Sequence, residues 1–130
     1  MGTFQEFYNI YKSTVRGPEK SQKEFSGTFV DTSDKIAPVK SDKCVVVIPA
    51  YSNNPTDFEK FNFVNNVAKI DEIYDICIIC PKLLKASVYK DLVPDKTLQF
   101  LRLPSRNFIG KSSYSAMMLS PEFYSHFTAW

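Results

Sequence analysis

Three apolar runs of strand length, Cys44 to Ile48, Tyr74 to Cys80 and Leu98 to Leu103, each stop at a proline: Pro49, Pro81 and Pro104. Proline has no amide hydrogen to give a sheet ladder, so each one turns the chain out of the sheet. The first run is apolar throughout and reads as a strand buried on both faces. Between the runs the period changes. Phe58, Phe61, Val64 and Ala68 recur every three to four residues, with Glu59, Lys60, Asn62 and Asn66 mostly opposite, after a loop Asn53-Asn54-Pro55-Thr56 in which Thr56 or Asp57 can cap a helix. Leu83, Leu84, Val88 and Leu92 repeat the pattern through Val93, until Pro94 breaks it. Strand, helix, strand, helix, strand is most simply closed by parallel pairing with right-handed crossovers, which predicts a three-layer, Rossmann-like α/β unit with its loops gathered at one edge.

Beyond the third run, Ser105 to Lys111 is polar and pivots on Gly110. Tyr114, Met117, Met118, Phe123, Tyr124 and Phe127 then form an aromatic-rich helical segment, re-capped at Ser120 with Pro121 in the first helical position. Residues 1–43 differ. Phe4, Phe7, Tyr8, Tyr11 and Val15 share a helical face, whereas Arg16 to Lys43 is polar, patternless and punctuated by Gly17, Pro18, Gly27 and Pro38, so the stretch reads as a helix and polar arm ahead of a domain at 44–130.

Charge excludes some partners. The 16 basic and 14 acidic side chains divide as seven and six over residues 1–43 and nine and eight over the rest, which implies no basic face for nucleic acid. No segment is apolar and long enough to span a bilayer, and the first residues lack the layout of a secretory signal, so a cytoplasmic location is expected. Cys77 and Cys80 spell C-x-x-C, but three residues apart on a strand they face opposite ways and cannot share a metal or a bridge. His126 reads as a histidine on a helix surface, and Asp71, Glu72 and Asp75 as a solvated loop at the amino end of the second strand.

Open α/β sheets hold ligands just past the carboxyl ends of their strands. In CVVVIPAYSNN that place falls on Pro49, Ala50 and Tyr51. Tyr51 can stack on a base or pack against a helix. Arg106 and Lys111, near the third strand's end, are candidate partners for a diphosphate, or simply solvated cations.

VVVIPAY, YDICIICP with Tyr89 after it, and NFIGKSSYSAMMLSPEFYSHF together resemble the N-terminal half of a bacterial family of unknown function whose members look like glycosyltransferases of the A type. In that family a strand ending in Pro-x-Tyr precedes a Tyr-Asp-Ile-x-Leu-x-Cys-Pro strand and a later Gly-Tyr-Asn-x-Leu-Met-Leu-Ser-x-Glu-Phe-Tyr-x-x-Phe block. Pro49 and Tyr51, Tyr74 to Pro81, and Tyr114 with Met118 to Tyr124 and Phe127 fill those places over roughly two thirds of the chain. The resemblance implies a partial glycosyltransferase A-type fold that holds a nucleotide sugar over its strand ends, with Mg²⁺ or Mn²⁺ in a complete enzyme. Two departures matter. Cys80-Pro81 stands where many such enzymes carry an aspartate for uracil, and the fourth strand and carboxylate motif that follow in the family lie outside these 130 residues.

The expectation is therefore the nucleotide side of a sugar-nucleotide-dependent glycosyltransferase, inactive by itself, with no catalytic or metal-binding residue assigned. The alternative is a non-catalytic α/β binding module. In either case Cys44 to Ile48 is expected at an uncovered sheet edge, which invites self-association unless the N-terminal arm pairs with it.

Overall fold

The computed structural model describes residues 27–130, except the side chains at 111 and 112; the N-terminal helix expected around Phe4 to Val15 lies outside the described residues. Four strands, β1 (Phe29–Thr32), β2 (Val45–Pro49), β3 (Asp75–Pro81) and β4 (Leu98–Leu103), form one all-parallel sheet in the order β1-β4-β3-β2. Helix α1 (Asp57–Ile70) connects β2 to β3, and the single turn α2 (Ser87–Lys90) lies between β3 and β4. A 3₁₀ turn (Ser105–Phe108) leads to α3 (Lys111–Met118) and α4 (Pro121–Ser125). The protein is an α/β fold with a core on each face of the sheet. One cluster joins Phe63, Val64, Val67 and Tyr89 to Ile76, Ile78 and Phe100; the other joins Met117, Phe123 and Ile36 to Cys77, Ile79 and Leu101.

Local chemistry explains the elements. Thr56 caps α1 by accepting from Glu59 N–H at 3.1 Å, and Glu59 returns the bond to Thr56 N–H at 2.8 Å, a reciprocal box that satisfies two otherwise orphaned donors. Ser120 caps α4 in front of Pro121, and Gly110 takes a φ of +81° at the entry to α3, a region that favours glycine. The face of α1 is turned from the expected one: Phe63, Val64 and Val67 are buried, while Phe58 is exposed. The second helix is shorter than its apolar spacing suggests, because Leu92 and Val93 are buried from a turn beyond Lys90.

Within the stretch read as a patternless polar arm, residues 29–32 are a strand. Phe29–Thr32 adds a fourth parallel strand beside β4, with Phe29 against the Phe100 ring at 5.4 Å and Asp31 on Arg102. Gly27 passes so close to the Lys96 backbone that an added Cβ would lie 2.0 Å from its carbonyl oxygen. A segment of four residues with one pairing neighbour carries too little alternation to stand out in a polar sequence.

The solvated-loop reading of the acidic residues before β3 also fails for two of the three. Asp75 is 1% exposed, and its carboxylate accepts from the backbone N–H of Val39 at 3.1 Å, Lys40 at 2.9 Å and Ser41 at 3.2 Å. Asp71 pairs with Lys40 at 2.8 Å and accepts from Thr97 N–H. Together they fasten residues 39–41, at the amino edge of the sheet, to the start of β3.

β2 lies at the sheet edge, so its first four residues are only half-buried, and the expectation of burial on both faces does not hold. The bond from Ala50 N–H to Ile79 O sets the phase of the parallel ladder. Val46 and Ile48 then face β3, and Val45, Val47 and Pro49 turn their nitrogens outward. Pro49 loses no ladder bond there and shortens the open edge.

Candidate functional site

Past the carboxyl end of β2, Pro49, Ala50 and Tyr51 line a cleft of 250 Å³ together with Glu59, Asn62 and Tyr89. Its loop is fixed by three bonds: Ala50 N–H to Ile79 O at 2.9 Å, the Tyr89 hydroxyl to Ser52 O at 2.7 Å, and Lys85 N–H to the Asn53 side-chain oxygen at 2.8 Å. Tyr89 is itself held edge-on to Phe63, ring centroids 5.3 Å apart, and burial, then the nearby Glu59 carboxylate, pushes its phenol above the ordinary range. Tyr51 is 66% exposed above this fixed floor. That exposure argues against the packing reading of Tyr51, because a ring so open contributes little to the core.

The cleft combines an apolar floor with the amides of Asn62 and Asn66 and the carboxylate of Glu59 at its wall. These groups suit hydroxyls and ring N–H groups. They do not suit a phosphate, which Glu59 would repel.

Of the two candidate charge partners, Arg106 is not part of this cleft. Arg106 lines a separate cavity of 440 Å³ beyond β4, with Asn107, Ser113, Glu122 and His126 around a floor of Leu103, Met117 and Phe123. Lys111 is the first residue of α3, but its side chain is outside the described set. Tyr114 is packed against Phe108, and its phenol is raised by burial and then by Tyr51. His126 has a partner that its helical position did not reveal: Nδ1 donates to Asp34 O at 2.5 Å, while His126 O accepts from Ile36 N–H at 3.0 Å.

Cys77 and Cys80 belong to opposite core clusters. Burial raises both thiols, that of Cys80 to about 11 even beside Arg102, so neither is a nucleophile near neutrality. Tyr89 was visible in the sequence only as part of the quoted motif, and Glu59 only as a helix-surface charge; nothing in their spacing marks them as cleft residues.

The divalent cation implied by the resemblance has no fitting ligand set. Among the described residues no group of three or more His, Cys, Asp or Glu is placed to hold a metal, Glu59 is engaged in its capping box and Asp31 by Arg102. No helix among the described residues is long and apolar enough to cross a membrane. The described residues thus form an α/β fold with a parallel sheet and clefts at its carboxyl edge, those lined by Tyr51 and by Arg106 among them. Comparison with family models, with curated proteins and with solved structures returned no match.

Proposed function

We propose that this chain forms the nucleotide side of a sugar-nucleotide-dependent glycosyltransferase of the A type, with base and ribose in the cleft under Tyr51. The observation that carries this reading is an exposed aromatic ring over a fixed, acceptor-lined cleft at the carboxyl end of a parallel strand. Tyr51 stacks on the base, while Asn62 and the Glu59 oxygen not used in the capping box accept from ribose or base donors. The chain's own part is binding and orientation. The diphosphate and the transfer step require cations and a metal site that the described cleft does not supply, so turnover by this chain alone is not expected.

Tyr51→Ala is expected to weaken binding of a nucleoside diphosphate sugar about tenfold or more, as removal of a base-stacking ring does. Stability should change by less than about 1 kcal/mol, since little buried surface is lost. Calorimetric titration and thermal melting of the same variant check both. Early melting with unchanged binding removes Tyr51 from the site.

The open edge of β2 favours, alongside this, a reading as an interaction module that pairs with itself. β1 adds to the far side of the sheet, beside β4, so among the described residues no strand covers β2. Antiparallel pairing of two copies through Val45 and Val47 would join two apolar edges into one sheet. Sedimentation should show dimers at tens of micromolar, with the amides of Val45 and Val47 gaining protection from hydrogen exchange as concentration rises. Protection of those amides in a monomer shows that the edge is covered within the chain.

A further inference from the structure

We propose that the cavity beyond β4 binds a small zwitterion with an apolar side chain, of the kind an α-amino acid presents. Arg106 and Glu122 line this one 440 Å³ cavity, yet they do not pair with each other. Neither side chain has a hydrogen-bond partner among the described residues, and the same holds for the Asn107 amide and the Ser113 hydroxyl. The cavity volume lies within the range of small-molecule sites.

Its charge pattern narrows the ligand. A simple anion drawn to Arg106 meets the Glu122 carboxylate, and a simple cation drawn to Glu122 meets the guanidinium. A zwitterion satisfies both. The Arg106 fork matches a carboxylate by two parallel bonds, whereas an ammonium offers three donors to Glu122 and to the Asn107 and Ser113 oxygens. Between them the floor of Leu103, Met117 and Phe123, each no more than 7% exposed, takes an aliphatic or aromatic side chain. The far wall is held in place by His126, fixed at both its ring and its carbonyl to residues 34–36. This assignment goes beyond the nucleotide reading and does not depend on it, because the two clefts share no lining residue.

The test is a titration of the full chain with L-leucine, 4-methylpentanoate and 3-methylbutylamine, followed by the amide resonances of Asn107, Ser113 and Met117. The last two ligands keep the leucine skeleton and each lacks one charge. Leucine should perturb these amides, and each single-charge analogue should bind about ten- to hundredfold more weakly, as expected for loss of a charge-assisted bond. Arg106→Gln should weaken leucine and 4-methylpentanoate but not the amine; Glu122→Gln should do the reverse. Both positions are exposed, and unchanged amide spectra elsewhere confirm that the variants fold. Equal binding of all three ligands, glucose binding there more tightly than leucine, or no perturbation by leucine at millimolar concentration would overturn the proposal. Nucleotide binding is read at Ala50 to Ser52, so failure of either assignment is seen separately.

Discussion

Asp75→Ala should destabilise the protein by about 3–5 kcal/mol, the range for removing one partner from a buried, charge-assisted network. The carboxylate holds the N–H groups of Val39, Lys40 and Ser41 at the start of the central strand β3, and alanine leaves all three without an acceptor. Water reaches residues 39–41 in part, which keeps the loss below the sum of three independent bonds. Domains are stable by only about 5–15 kcal/mol, so the urea midpoint should fall steeply. Asp75→Asn should lie between, because an amide keeps one acceptor oxygen but turns its NH₂ toward a donor. The protein's single tryptophan, Trp130, donates its indole N–H to Ser41 O at 2.8 Å and so reports on the same segment. Its emission should shift to the red in Asp75→Ala before global unfolding begins. A loss under about 1 kcal/mol would mean that the cradle is not needed to hold the arm.

Arg102→Ala is expected to cost about 2–4 kcal/mol. The guanidinium forks onto Asp31, Nε to Oδ1 at 2.7 Å and Nη2 to Oδ2 at 3.0 Å, and Nη1 donates to Lys82 O at 3.0 Å and Leu84 O at 2.7 Å. One side chain therefore ties β1 and the loop after β3 to β4. Asp31 is 35% exposed, so its ion pair alone is screened and contributes about 1 kcal/mol at most; the two carbonyls carry much of the rest. Arg102→Lys should rescue little, because an ammonium cannot make the fork and reach both carbonyls. The effect should extend to the cleft, since Lys85, next to Leu84, holds the Tyr51 loop through Asn53. Denaturant titration, with Asp31→Asn as the control for the pair, separates these contributions. If Asp31→Asn alone costs as much as Arg102→Ala, the carbonyl bonds contribute nothing.

These two residues also mark where sequence reasoning stops. The long-period signals were legible: β4 was bounded at Leu98 and Leu103, β2 and β3 to within one residue, and the Thr56 and Ser120 caps followed from side-chain chemistry alone. Asp75 was misread because burial is not a local property. A carboxylate one residue past Tyr74 looks solvated until another segment brings three donors to it. Phe29–Thr32 escaped for the same reason, since its place in the sheet depends on Phe100 and Arg102, about 70 residues away. In the candidate site, the strand-end rule located Pro49, Ala50 and Tyr51, but it assumed that polar residues after neighbouring strands converge. Arg106 instead faces the opposite core, on the side of α3 and α4, and the cleft wall is built from Glu59 and Tyr89 on helices that also serve the fold.

A nucleotide site under Tyr51 can be followed through the backbone amide resonances of the chain while UDP-, GDP- and CDP-sugars are added with Mn²⁺-free Mg²⁺ buffer. Perturbations should be confined to Ala50, Tyr51, Ser52 and the α2 turn around Tyr89, saturating with a dissociation constant on the order of 0.1–1 mM and without turnover of any donor. A folded protein whose amides at these positions do not respond to any of the three nucleotides, or respond only around Arg106 and Asn107, would contradict it.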